Sequence, residues 1–204
     1  TLRCFAVHKS YRGMGLLNQI AAHLIEVEYT RGNTHLFLYT KCESAPFFED
    51  LGFHTIVRIE GELVFMENTK KGFSSYLATL RSTPSYGRNT AAVVLNANPF
   101  TLGHKALVER ACRENDIVHL FGVSEEKSLI PYPVRKQLIL DGCRCFPNLI
   151  YHDSGPYIIS SATFPSYFQK DDVSVIHGHA LLDTAVFCEI ARALGISRRY
   201  IGEE

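Results

Sequence analysis

The chain has 204 residues, 46% of them hydrophobic and 21% charged, with 21 Lys+Arg against 21 Asp+Glu. This composition excludes a disordered, fibrous or low-complexity polypeptide, and zero net charge excludes a whole-surface basic field for nucleic acid or an anionic membrane. No apolar run approaches the ~20 residues that span a bilayer, and the length suits one large domain or two small ones.

In chain order, Leu2 to Val7 reads as a strand and Lys9 to Gly15 as a loop with two glycines. Leu16 to Thr30 carries apolar residues at 16, 17, 20, 21, 24, 25 and 27, the spacing of an amphipathic helix. Leu36 to Thr40 is a predicted strand. Ala45 to Leu51 is a short helix that Gly52 terminates. Phe53 to Ile59 and Leu63 to Met66 are two strands around Glu60-Gly61-Glu62. Residues 81–90 are rich in turn formers and poor in aliphatics, so a domain boundary is expected near Ser85, dividing the chain into 1–84 and 85–204.

The second block alternates strand and helix. Predicted strands are Ala91–Leu95, Ile117–Val123, Leu149–His152, Val173–His177 and a last one beginning at Arg199. Predicted helices are Gly103–Arg113, Tyr132–Leu140 and about Leu182–Leu194. Apolar strands alternating with helices imply an α/β fold whose parallel sheet is covered on both faces. Ligands on such sheets bind beyond the carboxyl ends of the strands, which directs attention to the loops there.

Six cysteines, at 4, 42, 112, 143, 145 and 188, form no Cys-x-x-Cys pair. They read as buried reduced thiols of a cytosolic protein. His177-Gly178-His179 lacks partners at metal-ligand spacing, so no metal site is expected. The chain starts at Thr1 without a methionine and stops at Glu204 directly after an apolar stretch, so both ends read as cut.

The loop after the first strand of the second block is Asn96-Ala97-Asn98-Pro99-Phe100-Thr101-Leu102-Gly103-His104, and it leads into a helix. Helix N-termini offer unpaired N–H groups and partial positive charge to a phosphate. Gly103 permits close backbone approach, Thr101 offers a hydroxyl and His104 an imidazole donor. The bland alternative is that Thr101 merely caps the helix and His104 packs beside it. This Thr-x-Gly-His run is a variant of the His-x-Gly-His signature of nucleotidylyltransferases. The resemblance implies a Rossmann-like fold and in-line attack on the α-phosphate of ATP, with Mg²⁺ bridging the phosphates.

The whole loop, Asn-Ala-Asn-Pro-Phe-Thr-x-Gly-His, resembles the signature of the citrate lyase ligase family. Three further segments agree in order: Val118–Phe121 with Ser124-Glu125, Pro131–Arg135, and Tyr157–Phe168. The resemblance implies that ATP and acetate form acetyl-adenylate and pyrophosphate. The acetyl group then passes to the thiol of a dephospho-CoA-type prosthetic group on the acyl carrier subunit of citrate lyase, releasing AMP. It implies catalytic roles for Thr101 and His104, with Asn96, Asn98, Phe100, Gly103, Lys105 and Arg135 around the nucleotide. Asn96 and Asn98 either shape the loop or touch nucleotide. Arg135 is either a phosphate-facing cation or a solvated arginine. Lys105 stands between the same two readings, and His119 reads as a core or edge histidine. Ile159-Ser160-Ser161-Ala162 imitates the family's second signature, but the required arginine falls at Pro165. The true second signature is expected beyond Glu204.

In the first block, Ser10-Tyr11-Arg12-Gly13-Met14-Gly15 resembles the pyrophosphate loop of the GNAT acetyltransferase superfamily, with Ser10 departing from its pattern. Ala45–Phe53 resembles a later GNAT segment. The resemblance implies a partial GNAT-like mixed sheet, in which backbone N–H groups of Arg12, Gly13 and Gly15 cradle a CoA-type pyrophosphate. A degenerate domain retained for architecture is the alternative. Competing functions for the whole are a nucleotidylyltransferase of another substrate and a non-catalytic acyl-carrier or CoA-binding module. The expected setting is cytoplasmic, without nucleic acid or membrane.

Overall fold

A computed structural model describes residues 7–83, 87–124, 128–158 and 172–202, with backbone only for 172–176. The predicted strand at 2–7 therefore lies almost wholly outside the described residues, as does most of the 157–168 segment. The chain divides into two compact units, Thr1–Gly72 and Phe73–Glu204. That junction precedes the polar stretch at 81–90.

The first unit contains α1 (Leu16–Thr30), β1 (Phe37–Thr40), α2 (Ala45–Asp50), β2 (His54–Ile59) and β3 (Leu63–Glu67). Its three strands form an antiparallel sheet in the order β1-β3-β2. The central strand β3 is buried at every position. Its alternating side chains explain this. Val64 and Met66 join Ala45 and Phe53 in a core on which Ile25 of α1, Phe48 of α2 and Leu51 just after α2 pack. Phe65 points the other way and stacks on Tyr39 at 4.7 Å. Gly52, at φ +85°, ends α2 with its N–H on the Glu49 carbonyl at 2.9 Å, a conformation costly for any other residue.

The second unit adds α3 (Gly72–Arg81, starting at the junction), β4 (Thr90–Leu95), α4 (Leu102–Glu114), β5 (Ile117–Gly122), α5 (Tyr132–Cys143), β6 (Leu149–Asp153), α6 (Asp172–Leu194) and β7 (Arg198–Tyr200). The four strands run parallel in the order β6-β5-β4-β7. On one face, Ala91, Val93, Leu95, Val118 and Leu120 meet Val108 and Ala111 of α4 and Ile139 and Cys143 of α5. On the other face, Phe121 meets Phe187 of α6 edge-on at 6.4 Å. This is the expected Rossmann-like arrangement of an apolar parallel sheet between helices.

Two elements differ from expectation. Val173–His177 is not a strand but the opening of α6. The β-branched run suggested a strand, yet Leu182, Val186 and Ile190 form a buried stripe four residues apart, and the helix that carries it extends back through 173–177. Helix α3 was unexpected. Its residues Phe73 and Tyr76 pack on the Tyr157 ring at 5.0 and 4.8 Å, and Leu80 is buried.

The strand order places a switch point at β4. The chain moves outward through β5 and β6 on one side, then returns to β7 on the other. The loop leaving the carboxyl end of β4 therefore opens where such sheets bind ligands.

Candidate active site

That loop is 96–101, and it delivers Thr101 as the N-cap of α4. Thr101 has extended backbone angles, and its Oγ1 accepts the N–H of His104 at 3.4 Å. In return His104 Nδ1 accepts the Thr101 N–H at 3.0 Å and lies 2.8 Å from Thr101 Oγ1. This is a capping box in which histidine takes the place usual for glutamate. A backbone N–H can only donate, so Nδ1 is an acceptor and the neutral ring carries its proton on Nε2. The bland reading of Thr101 as a cap is thus correct, and the cap itself leaves Nε2–H as a donor.

Gly103 lies one residue into the helix. A Cβ there would meet only Thr101 Oγ1, at 3.6 Å, an ordinary contact. The protein's own packing does not require glycine at this position, and the space above the helix end is open. The N–H groups of Leu102 and Gly103 precede the first intrahelical bond and have no carbonyl of their own helix. Lys105 follows, half-buried, with its N–H on the Thr101 carbonyl at 3.1 Å.

Asn96, Asn98 and Arg135 share a structural task. Arg135 is 0% exposed. Its Nη1 donates to Asn96 O at 2.6 Å, Asn96 Oδ1 at 2.9 Å and Val123 O at 2.9 Å, and its Nε to Ile130 O at 3.0 Å. Asn98 Oδ1 accepts the Ile130 N–H at 3.0 Å. The arginine is therefore not a solvated surface residue, and these bonds point its Nη1 and Nε at backbone carbonyls joining the ends of β4 and β5 to the start of α5. Between Asn96 and Asn98, Ala97 holds φ +48° and is 1% exposed. A non-glycine residue in this region is strained and persists only where its surroundings dictate it. Phe100 is likewise inward: its ring stacks on His104 at 5.8 Å and lies across Gly142 of α5.

A second polar group closes the carboxyl ends of β5 and β6. Tyr132 OH lies 2.9 Å from Tyr151 OH and also donates to Asp153 Oδ1, while Lys136 Nζ reaches Asp153 Oδ2 at 2.8 Å. Burial, foremost, pushes both phenols up, and the Asp153 hydrogen bond, foremost, pushes the Lys136 ammonium up. Burial would raise the Asp153 carboxyl, but the hydrogen bonds of Lys136 and Tyr132 outweigh it and hold it low. Gly122 makes the room: a Cβ there would lie 2.2 Å from Tyr151 Oη. No sequence pattern marked this group, because its members come from separate elements.

His119 and His152 face the α6 side as a buried pair, Nδ1 to Nε2 at 2.8 Å. Burial lowers both imidazoles to about 4. Among the described residues, no group of three or more His, Cys, Asp or Glu side chains is placed to hold a metal ion. No described helix is long and apolar enough to cross a membrane.

In the first unit, Arg12, Gly13 and Gly15 form an exposed loop leading into α1. Gly13 and Gly15 have φ +83° and +70°, and open space surrounds both. Arg12 N–H is taken by the Lys9 carbonyl at 3.3 Å. Gly15 caps α1 with no side-chain hydrogen bond.

The family model of the citrate lyase ligase C-terminal domain matches residues 90–204. Over all 204 residues the chain is 39% identical to the citrate (pro-3S)-lyase ligase of Escherichia coli (strain K12). The corresponding values are 37% for that of Haemophilus influenzae Rd and 38% for that of Klebsiella pneumoniae. It covers 58%, 61% and 60% of those three proteins, so it spans about three fifths of the length of these relatives. By the matched domain and these identities, the chain belongs to the citrate lyase ligase family.

Proposed function

We propose that the second unit is the nucleotide-binding part of an ATP-dependent ligase that activates acetate and acetylates the acyl carrier subunit of citrate lyase. The observation that carries this is the Thr101–His104 box, which leaves the Nε2–H donor of His104 at the open N-terminus of α4, beside the sheet's switch point. An acetate oxygen attacks the α-phosphorus of ATP in line, and the bond to the pyrophosphate oxygen breaks. The thiolate of the carrier's prosthetic group then attacks the acetyl carbonyl, and AMP leaves with the bonding pair. Thr101 orients His104, and His104 donates to a phosphoryl oxygen as charge builds on it. The N–H groups of Leu102 and Gly103 face the same anion with the positive end of the helix behind them. Mg²⁺ would arrive with the nucleotide and neutralise charge between its phosphates. Asn96, Asn98 and Arg135 shape the loop, Phe100 supports the imidazole, and Lys105 supplies positive charge nearby. Reliance on ATP fits a cytoplasmic setting for the reaction.

The boundary belongs to the same proposal, with residues 1–84 as an acetyltransferase-like part and 85–204 as the nucleotidyl part. The first unit would hold the pyrophosphate of the dephospho-CoA-type arm at Gly13–Gly15, and Arg12 would add its side-chain charge. The positive φ of two glycines at a helix start without a side-chain cap supports that reading. Dephospho-CoA should bind the wild type and not Gly13→Asp; equal affinity for both, or none for either, overturns it.

The ligase reading is tested by pyrophosphate release from ATP by the full-length protein. Release that requires acetate supports it. Acetate-independent turnover would instead mark a nucleotidylyltransferase of another substrate. No turnover, with the carrier still bound, would mark a binding module.

A further inference from the structure

We infer that Gly142, on α5 and outside every motif above, is a positioning residue for the His104 imidazole, acting through the Phe100 ring. The inference rests on the proposed role of His104. A Cβ built at position 142 would lie 2.4 Å from Phe100 Cε1, 2.9 Å from Cδ1 and 3.2 Å from Cζ. The ring therefore lies directly on the bare backbone of the helix, and any side chain would push it away by about 1 Å to reach ordinary contact at 3.4 Å. The same ring also stacks on His104, with centroids 5.8 Å apart and planes 21° from parallel. His104 is thus gripped at two points. Thr101 N–H holds Nδ1 at 3.0 Å, and Phe100 sets how far the ring leans toward α5. Phe100 packs against the core cluster containing Ile139 and Cys143, so α5 fixes it from below.

Helix propensity opposes this use of glycine. Within a helix, alanine is favoured over glycine. A glycine late in a 12-residue helix needs a reason, and the slot for Phe100 is the one that the geometry supplies.

The test compares kcat for acetate-dependent pyrophosphate release, and the imidazole nitrogen NMR signals of His104, in full-length wild type, Gly142→Ala, Phe100→Leu and the double variant. His104→Ala and Leu140→Ala serve as references, the latter an exposed change on the same helix. Displacing a catalytic group by about 1 Å costs up to about 100-fold. Gly142→Ala should lose between about 10- and 100-fold in kcat, with little change in KM for ATP, and should alter the His104 nitrogen signals. Leu140→Ala should do neither. In the double variant the ring atoms Cε1 and Cζ are gone and the shorter leucine can turn aside, so it should fold and match Phe100→Leu alone. Normal kcat and unchanged His104 signals in Gly142→Ala would overturn the inference. So would a double variant that loses far more kcat than Phe100→Leu alone, an arm that remains decisive if Gly142→Ala fails to fold. Full activity in His104→Ala would overturn the underlying role of His104 instead, whatever position 142 does.

Discussion

At Gly103, stability and activity pull in opposite directions. The residue sits in the first turn of α4 with a negative φ and room for a methyl group. Gly103→Ala should leave the melting temperature unchanged or raised, since alanine is the better helix former. In the proposed site the same methyl would stand where a phosphate would approach the backbone, so kcat/KM for ATP should fall at least about tenfold, the equivalent of ~1.4 kcal/mol of transition-state binding. Calorimetry beside steady-state kinetics measures both. A variant that loses stability and keeps activity would show that the glycine serves packing alone.

At the scale of elements, Arg135 ties β4, β5 and α5 into one frame. Replacing it with methionine keeps the bulk but strands the carbonyls of Asn96, Val123 and Ile130 without their buried donor. The expected cost is about 3 kcal/mol, visible as a lower denaturant midpoint with an unchanged slope. Arg135→Lys should rescue only part of it, because one ammonium cannot span the fork. A loss of nucleotide affinity without loss of stability would return Arg135 to the phosphate-facing role. Much of this scale was legible in the sequence. The apolar stripe of Leu16–Thr30, the uninterrupted apolar run of β4 and the helix-ending Gly52 each carry a strong local signal, and each element formed where expected. Helix α3 was missed: Phe73, Tyr76, Leu77 and Leu80 keep the helical interval, but the turn formers that follow masked it. At Val173–Ile176, β-branching pointed to a strand and the longer helical stripe overrode it. In the site, Thr101 and His104 were legible because one cap joins them three residues apart. Gly142, Gly122 and the Tyr132–Asp153 group were not, because their partners meet only when separate elements pack.

At the scale of the whole molecule, the buried His119–His152 pair makes folding sensitive to acid. Both imidazoles are held neutral and titrate near 4 in the folded protein against an ordinary 6.5, with burial the main cause. Below about 6.5 the unfolded chain takes up protons that the folded chain refuses, so stability should fall as pH drops from about 6.5 toward 4. Above 6.5 both states leave these rings neutral, and the pair adds no slope. Denaturant midpoints between pH 7.5 and 5 measure this, and His119→Phe, beside Phe121, should flatten the decline. A midpoint that is level across this range would contradict the buried pair.

In the proposed reaction the box of Thr101 and His104 serves attack by acetate on ATP. Exchange of labelled pyrophosphate into ATP reports that step alone, before any carrier thiol is needed. Exchange by the full-length protein should require acetate, proceed without the carrier, and fall by roughly 100- to 1,000-fold in His104→Ala, the scale for losing one preorganised donor. Exchange that ignores acetate, or that His104→Ala leaves intact, would contradict it.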